Sequence, residues 1–162
     1  MNKIDGFRLP RYKEIPAVGL YLDQTVKYIN SFLQPLGCME ITSSMVSNYV
    51  KQGLVNKPVG KLYYEDQIAH LIFITIAKSV LSMEHIALLF KYQQRVYTDQ
   101  VAYDYFCSEL ENMLFFIFGL KDNVENIGNT ASMEKEMLRS LIIAVANIIY
   151  LSHGFERLKE NE

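Results

Sequence analysis

The stretch ITSSMVSNYVKQGLV, Ile41 to Val55, decides how the chain is read. It has the punctuation of one short helix. Thr42 stands where an N-cap hydroxyl is wanted, with Ser43 and Ser44 beside it. Val46, Tyr49 and Val50 fall at i, i+3 and i+4 and form an inward stripe. Ser44, Ser47, Asn48 and Lys51 line the opposite side. Gly53 occupies the left-handed C-cap position, and Leu54 can fold back onto Tyr49. The outer face therefore carries hydroxyls, an amide and a single charge.

Upstream, Pro10, Pro16, Gly6 and Gly19 make residues 1–20 an extended arm. Leu22, Val26, Ile29 and Leu33 keep a helical period that Pro35 ends, which predicts a helix near 21–34. The FRLPRY segment offers Phe7, Leu9 and Tyr12 to pack across a core, and Arg8, Arg11 and Lys13 as arm cations. Downstream, LVNKPVGKLYY sets two short apolar pieces around a turn-rich Lys57-Pro58-Val59-Gly60, so a β-hairpin is expected within residues 54–64.

Four further helices follow from the pattern. Glu65 and Asp66 open an apolar run over 65–80, and Ser82 caps a helix over 83–94. Residues 99–118 repeat apolar side chains from Ala102 to Ile117 and close at Gly119, and a last helix is expected over 131–153, stopped by Gly154. The expected fold class is all-α, with that hairpin as its only sheet. The division is an arm at 1–20, a middle unit of helices and hairpin at 21–95 and a C-terminal helical region at 96–162.

Half of the 162 residues are hydrophobic and 21% are charged, enough for a packed core. Cys38 and Cys107 lie far apart with no second thiol near either, so neither a disulfide framework nor a zinc signature is expected. The N-terminus lacks an apolar segment of signal-peptide length. LIIAVANIIYL, Leu141 to Leu151, falls short of the about 20 residues a membrane span needs. A soluble, cytoplasmic protein without membrane attachment is expected. Net charge is −2 but uneven. Residues 1–62 hold eight lysines and arginines against four acids, and the remainder holds eight against fourteen.

The element order, helix, exposed helix, hairpin, apolar helix and Ser-started helix, is that of a winged helix-turn-helix. From Ile41 to Phe90 the residues resemble the MerR-type DNA-binding domain. Its Tyr-x-x-x-Gly-Leu is matched by Tyr49, Gly53 and Leu54, and its basic-Leu-Tyr wing return by Lys61, Leu62 and Tyr63. The next helix carries Ile68, Leu71, Phe73 and Ile74 at the matching places, and the following one opens with Ser82 and Ile86. The LPRY, LYLDQTV and NYVKQGLV blocks are also similar to a bacterial family catalogued as domain of unknown function 1836, itself considered MerR-like. MerR-type recognition helices usually carry arginine where Ser44 and Ser47 stand, and tyrosine at the place of Asn48.

The resemblance implies a DNA-binding regulator contacting double-stranded DNA through Ser43, Ser44, Ser47, Asn48 and Lys51, with Lys57 and Lys61 on the wing. A protein-interaction module that has lost DNA contact is the alternative, because serine replaces arginine in the reading face. His70, His85 and His153 show no metal-ligand spacing, and no phosphate loop or nucleophile elbow occurs, so neither enzyme, metal nor cofactor is expected.

Two apolar features point to a partner and a ligand. MLFFIF (Met113–Phe118) is apolar all round and Leu141–Leu151 nearly so, which predicts a homodimer through Met113, Phe115, Phe116, Ile117, Leu141, Val145 and Ile148. Tyr103, Tyr105, Phe106, Met113, Phe115, Phe116 and Phe118 form a group able to line a pocket for a small apolar effector, or to serve as helical core.

Overall fold

A computed structural model describes residues 3–124 and 132–162. Among them are six α-helices: α1 (Leu22–Leu33), α2 (Ser43–Lys51), α3 (Glu65–Ala77), α4 (Met83–Gln93), α5 (Asp99–Ile117) and α6 (Met133–Glu160). Tyr12–Glu14 and Gln34–Leu36 are single 3-10 turns. Hydroxyl caps set four of the starts. Thr42, Ser82, Thr98 and Ser132 accept from the backbone N–H groups of Met45, His85, Val101 and Lys135, all at 3.1–3.3 Å. Gly53, at φ +78°, ends α2 as expected, and the Leu54 N–H returns to the Tyr49 carbonyl at 3.0 Å.

α3 is the centre. Ile68, Leu71, Ile72, Ile74 and Ile76 are fully enclosed, and Thr75 turns its hydroxyl onto the Leu71 carbonyl at 2.6 Å so that it can be buried as well. The other elements wrap this apolar rod: α1, α5, α6 and the arm turn at Tyr12–Glu14 all touch it. α5 and α6 form the largest helix pair, burying Leu110, Met113 and Leu114 against an α6 stripe that includes Leu141, Val145 and Ile149.

The all-helical expectation holds, but the hairpin wing does not form. Among the described residues there is no β-strand, only the isolated bridges Val59–Leu62 and Leu20–Tyr63. Val59 and Leu62 exchange both backbone hydrogen bonds at 3.0 Å across Gly60 and Lys61, whose φ values of +56° and +67° make a tight two-residue turn. The ladder stops there because the Gln67 amide takes the next rung: it accepts from the Tyr64 N–H at 2.7 Å and donates to the Lys57 carbonyl at 2.8 Å. On the other side, Tyr63 gives its N–H and carbonyl to Leu20 of the arm, at 2.8 and 2.9 Å. The second arm of the expected hairpin thus pairs with the N-terminal segment. Gly19 permits this approach, since a Cβ there would lie 3.0 Å from the Tyr64 ring. The MerR-like winged architecture with its hairpin is therefore corrected to a helical unit carrying one tight turn.

A second difference lies at the far end. Gly154 does not stop α6, which runs to Glu160. Gly154 has no positive φ and is followed by good helix formers, with Arg157 and Lys159 at the negative end of the helix dipole.

Candidate functional site

α2 lies on the surface with its two sides divided as its sequence requires. Val46 and Tyr49 are buried, and Ser43, Ser44, Ser47, Asn48 and Lys51 are all exposed. The entry to the helix is rigid, because the Asn30 amide clamps both backbone groups of Ile41 at 2.8 and 2.9 Å. Asn48 accepts a hydrogen bond from Gln52 at 3.2 Å, so its outward amide is partly engaged. Lys57 and Lys61 are exposed on the loop that follows, Lys61 on the tight turn itself. Between Glu40 and Glu65 the chain holds no acid and three lysines, Lys51, Lys57 and Lys61. Among the described residues no carboxylate lies within ion-pair distance of these lysines.

The arm's arginines are used differently. Arg11 makes a forked pair with Glu111 at 2.6 and 2.8 Å, and the same carboxylate takes the Leu9 N–H at 2.9 Å. Glu111 lifts the Arg11 guanidinium above its ordinary pKa, through that hydrogen bond first. Arg8 holds Glu14, lowering the Glu14 carboxyl to about 2. Tyr12 donates its N–H to Asp104 at 2.8 Å and its hydroxyl to Asp66, and Tyr103 donates to the Pro10 carbonyl at 2.7 Å. Phe7 and Leu9 are buried as the FRLPRY segment led us to expect, and Tyr12 is half-buried. Lys13 stays exposed.

A cavity of about 200 Å³ opens between α3, α4, the first half of α5 and the start of α6. Tyr103, Tyr105 and Phe106 of the aromatic group line it, while Met113, Phe115, Phe116 and Phe118 lie elsewhere. Phe118 packs edge-on against Tyr150 and His153. Behind the wall of the cavity the Nε2 atom of His70 and the Oδ1 atom of Asp99 face each other at an ion-pair distance of 3.4 Å. Both atoms are buried and neither has a hydrogen-bond partner among the described residues. Sequence reasoning missed the pair because its members sit on two helices with no spacing signal between them. Elsewhere among the described residues, no three His, Cys, Asp or Glu side chains gather as a metal ion would need. Burial in apolar surroundings pushes the Cys107 thiol up to about 12, which leaves it protonated at neutral pH.

The expected dimer residues divide. Met113, Leu141 and Val145 are buried within the protomer, Phe115, Ile117 and Ile148 are half-buried, and Phe116 is exposed. α6 carries a separate exposed stripe, Leu151, Phe155 and Leu158, beyond its packed portion. His153 lies within α6 and meets the Leu36 carbonyl at 2.9 Å, which ties this helix to the turn between α1 and α2. α6 is also long and apolar enough to cross a membrane by length and composition, with a mean hydropathy of 1.4 over its most apolar window. A core helix meets the same test, and Leu141, Ile142, Val145, Ala146 and Ile149 are packed inside the protomer.

Residues 10–106 match the family described as domain of unknown function DUF1836, and the chain belongs to that family. No curated protein matches it. No solved structure matches it either.

Proposed function

We propose that this member of the DUF1836 family is a DNA-binding transcription regulator that lays α2 in the major groove. The observation that carries the reading is the acid-free surface of α2 and the loop after it. Ser43, Ser44, Ser47 and Asn48 offer donors and acceptors to base edges, and Lys51 can meet a phosphate or a guanine. Lys57 and Lys61 flank that face and would hold the backbone beside the groove. On this reading the protein works in the cytoplasm beside the chromosome. The alternative, a protein-interaction module without DNA contact, is favoured by one specific observation. Serine at positions 44 and 47 contacts bases and phosphates more weakly than a forked guanidinium would.

A homodimer completes the reading. Leu151, Phe155 and Leu158 recur at i, i+4 and i+7, and a second copy is the occupant that would cover them while doubling a small set of phosphate contacts. Light scattering should give twice the 18.8 kDa of one chain at tens of micromolar, and Leu151→Asp with Phe155→Asp should return the single mass. A wild-type mass of one chain removes the dimer.

DNA recovered with the tagged protein from cross-linked cells tests the main reading. Enrichment of discrete genomic sites, lost when Lys51, Lys57 and Lys61 are all alanine, is the expected result. Recovery at background level would transfer the surface to the interaction-module reading.

A further inference from the structure

We propose that the cavity between α3, α4, α5 and the start of α6 binds a small uncharged aromatic molecule, a single ring carrying one or two apolar substituents. The proposal stands on the cavity alone and does not depend on DNA binding.

Size comes first. Voids in a packed interior rarely exceed one water molecule, whereas this one measures about 200 Å³. An apolar cavity of about 150 Å³ stays dry and takes benzene, so the larger volume suits a ring with a methyl or ethyl group.

The walls favour an aromatic guest. Phe90 lies 4.8 Å from His70 and 5.5 Å from Phe73, centroid to centroid. Phe73 lies 4.9 Å from Phe106 with the rings at 81°. These side chains already meet in tilted and edge-to-face contacts, and a guest ring extends the cluster with contacts of the same kind. Ala69 and Ala102 line the same space with methyl groups alone.

The polar groups around the cavity select against charge. His70 Nε2 and Asp99 Oδ1 are buried behind the wall and face each other at 3.4 Å, so a guest reaches neither. Gln93 donates to the Tyr97 carbonyl at 3.0 Å, and the Tyr103 hydroxyl to the Pro10 carbonyl at 2.7 Å. Tyr105 is hydrogen-bonded to Glu109. Glu134 and Lys135 also line the cavity, half-buried on the first turn of α6. The Glu134 carboxylate lies at the positive end of that helix. The Lys135 ammonium lies 6.0 and 5.6 Å from the Tyr97 and Tyr105 ring centres. A guest ammonium or carboxylate would lose its hydration here and meet one charge of each sign. An uncharged ring gives up no such hydration.

Isothermal titration of the full chain with toluene, cyclohexane, benzylamine and benzoate tests the proposal. Toluene is expected to bind one per chain. Cyclohexane fills a similar volume without a π face and should bind roughly threefold or more weakly. Benzylamine and benzoate, both charged at neutral pH, should bind roughly tenfold or more weakly than toluene. Alanine methyl resonances of the wild-type chain locate the guest. Those of Ala69 and Ala102 should shift with toluene and saturate, while those of Ala17 and Ala146 stay in place. Ala102→Leu should weaken toluene binding at least tenfold by filling the space, with helicity and melting temperature as checks on its fold. Should that variant fail to fold, the methyl shifts of the wild-type chain still decide. Five results would each overturn the proposal: no saturable toluene binding, shifts that miss Ala69 and Ala102, cyclohexane binding as tight as toluene, a charged ligand binding as tight as toluene, or full toluene affinity in a folded Ala102→Leu.

Discussion

The first third of the chain uses its cations in two opposite ways. On the arm, Arg11 turns inward to Glu111 with only 23% of its side chain exposed, and Arg8 is held by Glu14. On α2 and the loop after it, Lys51, Lys57 and Lys61 are exposed, and no carboxylate among the described residues lies within ion-pair distance of them. These five cations thus fall into two populations. Arg11 clasps the arm to α5 and Arg8 is paired within the arm, while the three lysines are left for something outside the molecule. Charge counted along a sequence cannot separate them, because the carboxylate that takes up Arg11 arrives a hundred residues later.

The largest expected effect falls on the inward population. Arg11→Ala leaves the nearly buried Glu111 carboxylate without its partner, and urea unfolding should show a loss of about 3 kcal/mol. The figure sits at the low end for buried pairs because Arg11 keeps some contact with water. The salt dependence of DNA binding by the folded variant should not change. An unchanged midpoint would mean that the arm is not clasped as described.

Lys51→Ala should do the reverse. Its stability should stay within about 0.5 kcal/mol of wild type, as for an exposed side chain. Its DNA affinity should drop roughly tenfold at 0.1 M salt, the effect of one lost phosphate contact. Lys61→Gly should move the two readouts in opposite directions. Lys61 is the one described non-glycine residue at positive φ, so glycine there should raise stability by about 1 kcal/mol while DNA binding weakens. A fall in both would show that the Lys61 side chain supports the turn.

The smallest effect is one of pH. Glu14 lies near 2 in the folded protein against an ordinary 4.5, so its pair with Arg8 favours the folded state above about pH 4.5. That contribution is lost as pH falls toward 2. Arg8→Ala and wild type should therefore differ slightly at neutral pH and converge in acid. A difference that widens in acid would contradict the assignment.

The helices were legible because each was signalled locally. Thr42 and Ser82 cap their helices, Gly53 and Gly119 close theirs, and the apolar spacing between fixed the buried faces. The wing was misread because a side chain decides it. Val59 to Tyr63 look like half a hairpin, but the Gln67 amide takes the Tyr64 N–H and the Lys57 carbonyl that the next rung would have joined, while Tyr63 pairs with Leu20 on the opposite edge. Gly154 misled in another way: glycine disfavours helix only modestly, and the formers around it prevailed. On α2, exposure of Ser44, Ser47, Asn48 and Lys51 followed from the i, i+3, i+4 pattern of Val46, Tyr49 and Val50. The cavity was half legible. Its rings at Tyr103, Tyr105 and Phe106 stood out in the sequence, whereas His70 and Asp99 meet only through tertiary packing.

The division between paired arginines and exposed lysines is tested most directly by the salt dependence of DNA affinity, measured by fluorescence anisotropy on a pulled-down site. Three exposed lysines predict a slope of log affinity against log salt of roughly −3 per protomer, becoming shallower by about one with Lys51→Ala and unchanged in Arg8→Ala. A slope that Arg8→Ala reduces and Lys51→Ala leaves alone would contradict the account, as would no complex at micromolar protein in low salt.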